Sequence, residues 1–192
     1  MTTLESFVRS LKWYQFYSMV TLEQEQWLNH LNDSNSIEIF PYDELAGEKF
    51  ERIKRLLVSV LGEGQEILHR GSSSLKISGQ KEIDIYISVA PIIFNSILPT
   101  LEQVFGPPRS HYPLERVCYV AAVDGTKVEI FVINNESIGW FDSIRFETYL
   151  QQNPETLNEY RILKIESAGL STREYYRKKI EFINKILSIQ EK

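Results

Sequence analysis

Polar and apolar positions follow two different periods along this chain of 192 residues, and the change of period divides it. The first thirty or so residues carry apolar side chains at helical spacing, with Leu4, Phe7, Leu11, Tyr14 and later Trp27 and Leu31 expected to be buried. The turn-forming run NDSNS, residues 32–36, ends that segment. A short apolar stretch, IEIFPYD, stops at Pro41. GEKFERIKRLLVSVLG then reads as an amphipathic helix with Phe50, Ile53, Leu57 and Val60 on one face and Gly62 closing it. From Gln65 the period falls to two. QEILHR predicts a short strand, and GSSSLKIS a turn into a short helical segment. EIDIYISV alternates, placing Ile83, Ile85, Ile87 and Val89 on one face and Glu82, Asp84, Tyr86 and Ser88 on the other.

Pro91 is placed to open a helix, PIIFNSILPTLEQVFG, which Pro99 is expected to break or kink; GPPRSHYP reads as a loop. RVCYVAAV and TKVEIFVI flank Asp124-Gly125, a strong hairpin signal because both turn positions need positive φ. On the second of these strands Lys127, Glu129 and Phe131 share a face, with Val128, Ile130 and Val132 behind. The last third reads as helical. Asn153-Pro154 gives a cap followed by a first-turn proline, and Gly169 ends that helix. Ser171 to Glu174 forms a capping box for a final helix with Ile180, Ile183 and Leu187 as its apolar stripe. The elements amount to an α+β fold, or α/β: about four strands covered by helices. Residues 1–36 form an N-terminal helical extension, and residues 37–192 one domain with its core over 65–134 and C-terminal helices over 137–190.

Composition narrows this little. Hydrophobic content of 43% and charged content of 24% are those of a globular chain with a real core. A net charge of −5 advertises no broad basic field, so nucleic acid is possible but not favoured. The single Cys118 lies in an apolar run, has no internal disulfide partner and suits a reducing cytoplasm. No segment resembles a secretory signal or a bilayer span, which points to a cytoplasmic protein without membrane partners.

The candidate chemistry lies in HRGSSSLKISGQKEIDIYISV, residues 69–89. Residues two apart on a strand stand roughly 6.5–7 Å apart on one side, so Glu82 and Asp84 can converge on one divalent cation. Glu129, on the polar face of a later strand, supplies a third carboxylate if the strands pair in register. Oxygen donors without histidine suit Mg²⁺ or Mn²⁺ rather than zinc. A Gly-Ser turn opening a helix can aim N–H groups and hydroxyls at an anion. Spacing alone also admits a plainer reading, a solvated strand face beside an ordinary turn. His69 reads as structural more readily than catalytic, and His111 as solvated. Lys164, Arg173, Arg177 and Lys178 are candidates to line a phosphate groove, with helix-surface solvation the competing reading. Tyr86 shares the carboxylate face and is placed to stack a base. Trp13, Trp27 and Trp140 read as packing residues.

Gly71-Ser72-Ser73 followed by Lys81-Glu82-Ile83-Asp84-Ile85 resembles the Gly-Ser…Asp-x-Asp pattern of the nucleotidyltransferase (polymerase-β-like) superfamily. More specifically, the chain resembles the GrpB family from about Ile39 onward. PYDELAGEKFERIKRLLVSVLG is similar to that family's opening helix, HRGSSSLKISGQKEIDI to its central motif, and RFETYLQQNP…EYRILK to its tail. The family's Val-Pro-Gly after the serines is replaced by Leu75-Lys76-Ile77, and the spacing to the aspartate is one residue shorter. Many GrpB sequences carry His-x-His where this chain has Glu129.

The resemblance implies a nucleotidyltransferase-like mixed sheet covered by helices. It implies a Mg²⁺- or Mn²⁺-dependent enzyme that binds a nucleoside triphosphate and transfers a nucleotidyl group to an unknown acceptor. Gly71, Ser72, Ser73 and Lys81 would bind the nucleotide. Glu82, Asp84 and Glu129 would hold metal, Glu129 also helping to deprotonate the acceptor. The alternative is a non-catalytic nucleotide-binding or protein-interaction module on the same fold.

Overall fold

The computed structural model describes residues 20–190. The expected positions Leu4, Phe7, Leu11, Tyr14 and Trp13 lie outside the described residues. The described chain divides into two compact units, one over residues 39–144 and one made of residues 20–38 and 145–190.

The first unit contains helix α2 (Ala46–Leu61), strand β1 (Glu66–Arg70), the one-turn helix α3 (Gly71–Ser74), β2 (Glu82–Val89), α4 (Pro91–Phe105), β3 (Ser110–Tyr112), β4 (Arg116–Val123) and β5 (Thr126–Asn134). The five strands form one mixed sheet in the order β1-β2-β5-β4-β3. β2 and β5 run parallel at its centre, pairing Asp84 with Glu129, while the other neighbours are antiparallel. The alternation in β2 sorts the two faces as the sequence predicts. Ile83, Ile85, Ile87 and Val89 join Val128, Ile130 and Val132 in a core closed by Phe50, Ile53 and Leu57 of α2 and by Phe94 and Leu101 of α4. A smaller cluster of Cys118, Phe131, Ile133 and Trp140, with Tyr86 packed against it, covers part of the other face. The rest of that face carries the charged residues.

The β4–β5 hairpin closes on Asp124 (φ 48°) and Gly125 (φ 71°), the positive-φ pair expected from Asp-Gly. Three local expectations are corrected. The GPPRSHYP loop contains β3, which pairs with β4 through Ser110, His111 and Tyr112, making five strands instead of four. α4 runs through Pro99. The carbonyl that Pro99 leaves without an N–H belongs to Asn95, an exposed residue, so water can satisfy it. Val60 is only half-buried, whereas Lys49 is buried on the inner side of α2.

The second unit contains α1 (Leu22–Asn29), α6 (Pro154–Glu166) and α7 (Thr172–Ile189), together with most of α5 (Ile138–Gln152), which begins in the first unit. In α1 it is Leu28 that is buried; Trp27 meets Tyr176 edge-on at 5.4 Å. The capping box of α7 forms as expected, Ser171 Oγ accepting from Glu174 N at 3.3 Å. The buried positions of α7 are Tyr175 and Ile186, not the stripe expected at Ile180, Ile183 and Leu187. Asn153 does not cap α6: its side-chain amide donates to the Tyr149 carbonyl at 2.8 Å, and the helix ends at Glu166, before Gly169. Phe146, Tyr160 and Phe182 form an aromatic cluster with centroid separations of 5.3–6.3 Å. Lys164 is buried beside it and donates to the Tyr175 hydroxyl at 3.0 Å. Among the described residues no helix is long and apolar enough to cross a membrane.

Candidate functional site

β1 delivers the chain directly into the site. Its last residue, Arg70, is the register partner of Asp84, so Gly71, the next residue, enters α3 against the Asp84 side chain. The approach is close enough to require glycine. A Cβ at Gly71 would lie 2.0 Å from Asp84 Oδ2, and the backbone there has φ +74°. Gly79 closes the same loop against Ser72, where a Cβ would come within 2.4 Å of Oγ. The Gly-Ser turn and the carboxylate strand are therefore one packed unit.

Ser72 and Ser73 line a small open cleft together with Lys81, Glu82, Thr126 and the Pro41–Asp43 loop. Ser73 Oγ is hydrogen-bonded to His69 Nε2 at 2.9 Å. Lys81 is exposed, with φ +59° and its ammonium 5.7 Å from the Phe40 ring centroid. Behind the cleft wall the buried Lys49 donates to Asp43 Oδ2 at 2.6 Å and to Thr126 Oγ1 at 2.7 Å. Lys49 and the N–H of Leu45 hold the Asp43 carboxyl below its ordinary value. Nothing local in the sequence marks these residues, because their partners lie up to 77 positions apart.

The three carboxylates share the sheet face as expected, Asp84 and Glu129 being direct register partners and Glu82 opposite Lys127. Glu129 and Glu82 are held by Arg109 and Lys127. Arg109 grips both oxygens of Glu129, its Nη2 lying 2.8 Å from Oε2. Lys127 pairs with Glu129 and lies 3.1 Å from Glu82 Oε2. Burial works to raise the pKa of Glu129, but hydrogen bonds from Arg109 and Lys127 outweigh it and hold the group below the usual carboxylate value. In this arrangement Glu129 is a weak proton acceptor. Among the described residues no cluster of three or more His, Cys, Asp or Glu is placed around a common metal position. Lys127 was legible from its place two residues before Glu129 on one strand face, whereas Arg109 has no such local signal.

Other expected residues take structural roles. His69 stacks on Phe50 at 4.8 Å, and His111 is exposed on β3. Tyr86 meets Phe131 edge-on at 5.2 Å. Lys164 is not solvated but buried; Arg177 forms a two-pronged pair with Glu25 and Arg173 pairs with Asp33 at 2.8 Å, while Lys178 is exposed.

The GrpB protein family profile matches residues 36–188. The chain belongs to the GrpB family. It is similar to a UPF0157 protein of Vibrio cholerae serotype O1, 27% identical over 157 residues that cover 80% of this chain and 83% of the relative. The crystal structure of a conserved GrpB protein from Enterococcus faecalis shares the fold at a TM-score of 0.60 and 18% identity, covering 81% of this chain and all of that one. The GrpB match runs through the sheet and the C-terminal helices alike.

His69 gives this GrpB protein a defined acid sensitivity. Burial pushes its imidazole from 6.5 down to about 4, against a weaker upward pull from Glu51. The folded ring stays neutral where the unfolded one takes a proton, so this contribution is complete above pH 6.5 and declines as pH falls towards about 4. Undiscounted, the shift corresponds to about 3 kcal/mol; partial exposure of the ring reduces the expected loss to about 1.5 kcal/mol. Urea unfolding of His69→Phe across that interval should show a shallower pH slope than wild type. An identical slope would assign the acid sensitivity to another group.

Proposed function

We propose that this GrpB protein binds a nucleoside triphosphate together with Mg²⁺ or Mn²⁺ and transfers a nucleotidyl group to an acceptor hydroxyl. The observation that carries this reading is the contact of Gly71 with Asp84, which fixes the phosphate-type turn against the carboxylate strand. Donor chemistry supports it. Glu82, Asp84 and Glu129 offer hard oxygens on one sheet face, with Asp84 and Glu129 on adjacent strands about 4.8 Å apart. Glu82 and Asp84 would hold the ion, and Glu129 would complete the row. The Ser72 and Ser73 hydroxyls and the Lys81 ammonium would bind the phosphates. A bound divalent cation would neutralise charge developing on the phosphates.

Thermal unfolding against the four ribonucleoside triphosphates, with and without Mg²⁺ or Mn²⁺, tests this directly. A ligand at a hundred times its dissociation constant adds about 2.7 kcal/mol, or a midpoint shift of roughly 5–10 °C for a chain of this size. The expected result is a metal-dependent shift for at least one nucleotide, lost in Glu82→Gln/Asp84→Asn. No shift with any triphosphate would overturn the reading. The engagement of Glu82 and Glu129 by protein cations favours one second reading, a nucleotide-binding module without turnover. Nucleotide-dependent assembly without pyrophosphate release would select it.

A further inference from the structure

The four charged groups Glu82, Lys127, Glu129 and Arg109 form one chain of ion pairs along the sheet face. Their burial is unequal. The side chains of Glu82 and Glu129 are 16% and 9% exposed, whereas those of Lys127 and Arg109 are 45% and 48% exposed. The carboxylates are anchored on the central strands, and the cations reach over them from the solvent side. Lys127 touches both Glu82 and Glu129, placing one positive charge between two carboxylates. A divalent ion shared by those two carboxylates would need that position.

We propose that Lys127 and Arg109 are exchange cations: they hold Glu82 and Glu129 in the ligand-free protein and pass to the phosphates of the substrate when a divalent cation takes the carboxylates. This rests on the metal–nucleotide reading above and deepens it, adding two anion-binding residues to that site. The exchange conserves charge pairing. Metal alone must displace two cations from their carboxylates, and a polyphosphate alone must strip them from buried carboxylates. When both arrive, every charge finds a partner. The two ligands therefore bind with positive coupling, through differential contacts in two pairing states.

Calorimetric titration with Mn²⁺ alone tests the first half. Lys127→Met keeps Arg109 on Glu129, so its buried carboxylate stays neutralised and the variant is expected to fold. It should bind Mn²⁺ about tenfold more tightly than wild type, equivalent to about 1.4 kcal/mol. Titration with inorganic tripolyphosphate without metal tests the second half: Glu129→Gln, which removes the carboxylate that Arg109 and Lys127 share, should bind it about tenfold more tightly than wild type. Adding Lys127→Met to Glu129→Gln should remove most of that gain. Equal Mn²⁺ affinity in wild type and Lys127→Met would overturn the exchange while leaving the metal site standing. Absence of Mn²⁺ binding in both would overturn the metal site and the exchange together. Tripolyphosphate affinity unchanged in Glu129→Gln would remove the phosphate role of the two cations.

Discussion

Gly71→Ala is expected to lower stability by about 3 kcal/mol and to abolish metal-dependent stabilisation by nucleotide. Two effects add at this position. A side chain at φ +74° carries left-handed backbone strain of about 1 kcal/mol. The new methyl group would also meet the Asp84 carboxylate at 2.0 Å, so Asp84 must leave its place or β1 must part from β2. Gly125 separates the two effects, for it has φ +71° in the hairpin turn and open space around its Cα. Gly125→Ala should therefore cost about 1 kcal/mol and leave the nucleotide response intact. A double-mutant cycle sharpens the comparison. In an Asp84→Ala background only the Cβ contact at 3.3 Å remains, and the cost of Gly71→Ala should fall towards the strain alone, about 1 kcal/mol. The same cost in both backgrounds would show that the glycine and the carboxylate are independent.

The second large effect is expected at Lys49. Its ammonium is buried and tethers Asp43, in the cleft wall, to Thr126 at the start of β5. Lys49→Met preserves the length of the side chain and removes the charge. It leaves the buried Thr126 hydroxyl without this donor and the Asp43 carboxylate without its counter-ion. The expected loss is about 2 kcal/mol, below the range for fully buried pairs because Asp43 keeps partial access to water. Urea unfolding at pH 7 should report it as a lower midpoint with an unchanged slope. A cycle with Asp43→Asn should show a coupling of about 1 kcal/mol or more; additive losses would reduce Lys49 to a packing residue. The lost tether should also move Asp43 towards its ordinary pKa, because hydrogen bonding by Lys49 is the main cause of its depression.

What the sequence made legible follows the reach of each physical signal. The Asp124-Gly125 turn and the alternation of β2 are set within a few residues, and both formed as read. The three-residue β3 has too few positions to show a period and sits among prolines and turn formers, so only its pairing with β4 reveals it. Lys49 and Lys164 occupy polar positions in otherwise ordinary helical patterns. Their burial depends on partners supplied by distant elements, Thr126 for one and Tyr175 for the other. At the site, the shared face of Glu82 and Asp84 was readable from one strand. The grip of Arg109 on Glu129 was not, since it arises where the segment leading into β3 returns to the sheet.

The parallel pairing of β2 with β5 has a consequence for how such a protein can diversify. Both strands begin beside the charged face, Glu82 and Lys127 being opposite each other, and both run away from it. Their exits, at Ala90 and at Asn134, lie some five residues beyond Asp84 and Glu129, about 16 Å along the sheet. Insertions after either strand are thus accommodated at the remote end, outside the ion-pair row. The β1–α3 junction has no such freedom, because a single added residue there would carry Gly71 off Asp84. Length can therefore vary at the two strand exits, whereas the β1–α3 junction tolerates almost none.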